Sequence, residues 1–161
     1  MLSSVLVIPH RPPVLTAKML ATVDILSNGR LTVGAGVGWM REELNALGAP
    51  AYERTGRASH EYIEAFRTLW TTNGPAEYHG EFVDFSGVGF EPKPVQKPHP
   101  PVIVGGGMPW AAQRALDYGD GWLPHAHRPT YKLLDRLPEF RELEKEAGRT
   151  VPISVFGVEH D

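Results

Sequence analysis

The sequence predicts an α/β fold with a parallel sheet and outer helices. Three features carry that expectation: short apolar runs ending at Gly or Pro, helix-period stretches between them, and alternation of the two along 161 residues. The first run, Val5-Leu6-Val7-Ile8, stops at Pro9 and asks for burial on both faces, as in a sheet covered by helices. Val14 to Leu26 is Ala- and Leu-rich and reads as a helix stopped by Ser27-Asn28-Gly29. Leu31-Thr32-Val33 is the next strand, running into Gly34-Ala35-Gly36-Val37-Gly38. Arg57 to Thr71 is the clearest helix. Ala58, Tyr62, Ile63, Phe66, Leu69 and Trp70 fall on one stripe, with Glu61, Glu64, Arg67 and Thr68 opposite.

After Asn73-Gly74-Pro75 the pattern changes to short alternation, with Tyr78, Phe82, Val83 and Phe85 around His79-Gly80-Glu81, which predicts a surface hairpin. Glu91 to Pro101 is proline-rich and reads as an extended connection, so residues 72–101 form one excursion within a single domain spanning 1–161. Val102-Ile103-Val104 is a strand, followed by glycines and a helix over Ala111–Tyr118 that ends at Gly119. Trp122-Leu123 is a short strand. Thr130 caps a helical stretch to Gly148 that Pro138 interrupts or restarts, and Ile153-Ser154-Val155-Phe156 is a last strand. Helical crossovers make the sheet parallel. An open doubly wound sheet and part of a (β/α)8 barrel both fit. A whole barrel takes about 250 residues, so length alone favours the open sheet.

Composition removes several functions. With no cysteine the chain has no disulfide, iron–sulfur cluster, thiol nucleophile or Cys-based zinc site. Sixteen basic against 19 acidic residues, with no basic tract, argues against nucleic acid as a partner. No apolar run reaches 18 residues and the start lacks a signal-peptide pattern, so a cytoplasmic protein with no membrane span is expected.

Four motifs could carry chemistry. Gly34-Ala35-Gly36-Val37-Gly38-Trp39 follows a strand like a dinucleotide fingerprint, but the third glycine should fall where Trp39 stands. The other reading is a barrel strand whose glycines leave interior room, such as a flat ring needs. Val102-Ile103-Val104-Gly105-Gly106-Gly107-Met108-Pro109-Trp110 is strand, glycine turn and helix start, with Pro109 suited to the first helical turn. Bare N–H groups there favour a phosphate, although a ligand-free tight turn has the same sequence. His10 and Arg11, among prolines at the end of the first strand, could contact an anion or transfer protons; His10 is the weak candidate for a catalytic residue. His125-Ala126-His127 has two imidazoles but no third ligand at helpful spacing, so no metal site is expected. Of the adjacent Glu42 and Glu43, Glu43 is the better placed to point inward.

Taken together, these segments resemble the luciferase-like monooxygenase superfamily, which holds flavin-dependent monooxygenases and deazaflavin (coenzyme F420) oxidoreductases. The resemblance rests on an ordered set spanning nearly the whole chain. It runs through Val5 to Leu15, Ala17-Lys18, Ala21 to Arg30, Gly34 to Trp39 with Glu42-Glu43, Pro101 to Gly107, and Tyr118 to Pro124. The chain looks most like the F420-type branch common in actinobacteria.

The resemblance implies a (β/α)8 barrel, of which this chain keeps about strands three to seven: a partial barrel, truncated at both ends. It implies F420 or FMN as cofactor and a small organic substrate. The family's non-proline cis peptide beside the flavin would be Ser4–Val5. Gly36, Val37 and Gly38 would border the cofactor, and Gly105, Gly106, Gly107 and Met108 would take its phosphate. Two departures matter. The glutamate used as an acid by the sugar-phosphate dehydrogenase branch would fall near Trp39, and the reactive cysteine of bacterial luciferase is replaced by Gly36. The expectation is an oxidoreductase; the competing one is a non-catalytic flavin-binding or structural fragment that completes its barrel as a homodimer.

Overall fold

The computed structural model describes residues 1–128 and 131–155. Its backbone divides into two compact units, Met1–Pro100 and Pro101–Asp161.

In the first unit, strand β1 (Leu6–Val7) pairs in parallel with β2 (Val33–Gly36), Leu6 opposite Ala35 and Val7 opposite Gly36. An isolated parallel bridge joins Leu2 to Thr32 ahead of them. The opening run is a shorter strand than its composition predicts. Pro9 diverts Ile8–His10 into a 3-10 turn. Val5 is 39% exposed, so burial on both faces is not met there. The second strand also starts later than predicted and takes in the glycines, all of its four residues being buried.

Helix α1 (Pro13–Leu26) begins with proline in its first turn, where a missing N–H costs nothing, and stops at Asn28 and Gly29, both with positive φ. Helix α2 (Arg41–Ala46) is short and exposed apart from Leu44. Helix α3 (Thr55–Thr71) buries the predicted stripe, and Trp70 donates its indole N–H to the Ala17 carbonyl at 3.1 Å, tying α3 to α1.

The predicted hairpin is present as antiparallel strands β3 (Ala76–His79) and β4 (Asp84–Val88). Glu61 on α3 latches it. Its carboxylate accepts from the backbone amides of Glu81 (3.1 Å), Phe82 (2.5 Å) and Val83 (2.6 Å), and Tyr78 donates its hydroxyl to Glu64 at 2.8 Å.

The proline-rich connection is extended, as expected, and it is anchored by a buried charge. Asp24, with no exposed surface, accepts from the Gln96 amide at 3.0 Å and from its side-chain nitrogen at 2.7 Å; that nitrogen also donates to the Leu31 carbonyl. Asp24→Ala leaves the part-buried Gln96 backbone amide without its acceptor and its side-chain nitrogen with the Leu31 carbonyl alone, and is expected to cost about 1–3 kcal/mol, read as a lower urea midpoint.

In the second unit, β5 (Val102–Gly105) and β6 (Gly121–Leu123) pair in parallel across helix α4 (Trp110–Tyr118). Asp120 closes the crossover by exchanging two hydrogen bonds with Val102. Arg149 caps the end of α4 by donating to the carbonyls of Leu116 and Gly119. Short strands β7 (His127–Arg128) and β8 (Tyr131–Lys132) form an antiparallel pair before helix α5 (Leu133–Ala147).

Pro138 does not interrupt α5. It sits early in the helix, and Leu134, whose carbonyl loses its partner, is 76% exposed on a solvated face. The Thr130 cap and Phe156 lie outside the described residues. Of the last predicted strand, Ile153 makes an isolated parallel bridge with Trp122. Phe140 and Trp122 pack with ring centroids 4.5 Å apart in this unit's core. Among the described residues, no helix is long and apolar enough to cross a membrane.

Candidate functional site

In the first unit, two glycines of β2 face the chain's own opening segment. A Cβ on Gly34 would fall inside the Ser3 carbonyl oxygen, and one on Gly36 would lie 2.6 Å from Val5 Cγ2. Ser3 Oγ fixes this contact by accepting from the Gly34 amide at 2.9 Å and donating to its carbonyl at 3.3 Å. The interior room expected beside β2 is therefore taken by Ser3 and Val5. What β2 supports is a raised segment, Ser4–Val5, whose peptide bond is cis, as the resemblance implies. Both residues are exposed. Val37 and Gly38 follow the strand, and the +84° φ of Gly38 turns the chain into an exposed Trp39.

His10 stands at the C-terminal end of β1, on the turn that follows it. Its side chain is 9% exposed, and its buried Nε2 has no hydrogen-bond partner. Glu43 Oε2 on α2 comes within 3.8 Å of that nitrogen. Glu43 does not point inward as expected, its side chain being half-exposed, but its carboxylate lies near His10. Its neighbour Glu42 is exposed, and so is Arg11.

The second unit carries a glycine turn between β5 and α4. Gly106 has φ +125°, which a side chain resists, and a Cβ there would come 3.0 Å from Ala111 Cβ. Its N–H is not bare, as the sequence suggested, because it donates to the Leu123 carbonyl at 3.1 Å. Its carbonyl accepts the Trp122 indole N–H at 3.0 Å. Gly106 is thereby the fixed hinge of the turn. The amides of Gly107 and Met108 have no hydrogen-bond partner among the described residues of this unit, and they precede the nine-residue helix α4. Pro109 immediately precedes that helix instead of sitting inside its first turn.

His125 lies past β6 and has a partner of its own. Among the described residues no three His, Asp or Glu side chains gather closely enough to hold a metal ion. Sequence reasoning did not find the Ser3–Gly34 clamp, the Trp122–Gly106 bond or the Glu61 latch. The glycine spacing was the available signal for the first; the other two pair residues far apart in the chain.

A family model described as luciferase-like monooxygenase matches residues 1–158. The chain belongs to the luciferase-like monooxygenase family. Its relatives include an FMNH2-dependent dimethylsulfone monooxygenase of Pseudomonas putida, 34% identical over 117 residues, covering 71% of this chain and 32% of that protein. Among solved structures, monooxygenase RslO1 from Streptomyces bottropensis aligns with a TM-score of 0.78 at 27% identity, covering 96% of this chain and 48% of that one. An F420-dependent secondary alcohol dehydrogenase in complex with an F420-acetone adduct aligns at 0.71 and 24% identity, covering 89% and 44%, and shows the shared fold. The luciferase-like chain spans a third to a half of the length of these proteins. In each unit parallel strands are joined across a helix, the α/β pattern that the sequence predicts and that fits the partial barrel implied by the resemblance.

The residues present fit a phosphorylated cofactor. Gly106 holds a backbone conformation that favours glycine, and the Gly107 and Met108 amides, just ahead of α4, have no partner among the described residues of their unit.

Proposed function

We propose that this luciferase-like chain is an oxidoreductase domain that binds reduced FMN or F420 and acts on a small organic substrate. The turn at Gly106 carries the reading: the Gly107 and Met108 amides that follow it have no partner among the described residues of their unit, just ahead of α4, where a phosphate is favoured by both hydrogen bonding and the helix dipole. Gly105, Gly106, Gly107 and Met108 would hold the phosphate. Ser4 and Val5, backed by Gly36, would meet the ring, with Val37 and Gly38 beside them. When bound, the reduced ring supplies the hydride or activates oxygen. His10, at the C-terminal end of β1, would exchange a proton with the substrate; (β/α)8 enzymes keep their chemistry at that end of the strands.

Purified protein titrated with FMN and with F420 tests this, followed by changes in absorbance and fluorescence. Saturable binding of one of them is expected. Binding of neither refutes the proposal. The competing reading is a cofactor-binding domain without turnover, and binding with no turnover across aldehydes, ketones and enones selects it.

A further inference from the structure

His10 is an unusual histidine. Its Nε2 is buried without a partner, and a ring nitrogen stripped of water is costly unless something replaces the lost hydrogen bond. The group in place to do so is Glu43, with Oε2 at 3.8 Å and a side chain half-exposed, hence free to close the gap. Gly38 keeps the intervening loop close: a Cβ there would lie 3.1 Å from Val7 Cγ1 and 3.7 Å from the same Nε2. Both residues follow the C-terminal ends of consecutive parallel strands, β1 and β2.

Other titratable groups lie near. Arg11, next in the chain, is exposed. Helix α3 packs against the His10 turn and carries Arg57, His60, Glu61, Glu64 and Arg67. Glu61 and Glu64 are engaged with the hairpin, and Arg57 pairs with Glu81. Tyr62, in the buried stripe of α3, has its pKa raised by burial and, secondarily, by the charge of Glu61, so it stays neutral where histidine titrates.

We propose that Glu43 is a positioning residue for His10: its carboxylate accepts the Nε2–H and fixes the tautomer whose Nδ1 exchanges a proton with an oxygen of an alcohol or carbonyl substrate. This rests on the proton-transfer role given to His10 above. In one direction a substrate hydroxyl gives its proton to the Nδ1 lone pair. The imidazolium formed keeps its Nε2–H on Glu43, whose charge balances it. In the other direction the Nδ1 proton returns to the carbonyl-derived oxygen.

The test is 15N NMR of histidine-labelled protein, with His10→Asn used to assign the signal. In the wild type, neutral His10 is expected to carry its proton on Nε2. Glu43→Ala is expected to give mixed tautomers. An Nδ1–H tautomer in the wild type, or an unchanged Nε2–H tautomer in Glu43→Ala, overturns the proposal. None of these signals needs bound cofactor, so failure of cofactor binding in a parallel FMN and F420 titration counts separately against the function proposed above.

Discussion

Gly34→Ala is expected to destabilise the fold by about 3 kcal/mol or more, a large loss for one methyl group. The added carbon meets the Ser3 carbonyl oxygen, a backbone atom that cannot swing aside. The backbone is pinned on either side, by the Leu2–Thr32 bridge before it and the Leu6–Ala35 pairing after it. Ser3 is held again by its two hydrogen bonds to Gly34. Gly36→Ala meets the tip of Val5 instead, at 2.6 Å, and Val5 is 39% exposed, so it can move. That variant is expected to lose about 1–2 kcal/mol, partly restored by Val5→Ala. Gly89→Ala, with nothing within 4 Å of the new carbon, serves as control and is expected within about 0.5 kcal/mol of wild type. Urea denaturation of the three single variants measures the order. Equal stability of Gly34→Ala and Gly89→Ala would contradict it.

Gly106→Ala is expected to weaken FMN or F420 binding by about 10- to 100-fold while leaving a folded protein. The new Cβ sits in a backbone region that favours glycine and presses on Ala111 at 3.0 Å. The turn cannot yield on its other side, because Leu123 and Trp122 hold the Gly106 amide and carbonyl. Relief must come by moving the Gly107 and Met108 amides, which misaims them. A hydrogen bond to a charged group contributes about 1.5–3 kcal/mol, so misalignment of one accounts for the loss. Titration of the variant, with circular dichroism confirming its fold, measures it. Unchanged affinity in a folded variant would show that the turn takes no phosphate.

Local pattern made much of this fold legible. The stripe of α3 is a direct consequence of helical spacing, and all six of its apolar residues are buried as read. Pro and Gly marked the ends of α1 and α4 for backbone reasons that need no tertiary context. Pro138 misled, because whether a helix tolerates proline depends on where the freed carbonyl stands, here beside exposed Leu134.

The glycines of β2 were noticed for the right spacing and given the wrong occupant. Composition says that room is needed, and only pairing shows that Ser3 and Val5 fill it. Likewise His10 and Glu43 are 33 positions apart, and their approach depends on β1 and β2 being neighbours. The glycine turn after β5 was readable as a tight turn between strand and helix. That Gly106 itself is occupied by Leu123 was not, because the bond comes from the adjacent strand.

A crystal structure of the protein with FMN or F420 bound bears most directly on the proposed role. The phosphate is expected within hydrogen-bonding distance of the Gly107 and Met108 amides at the start of α4. A cofactor bound with its phosphate elsewhere, and that turn empty, would contradict it.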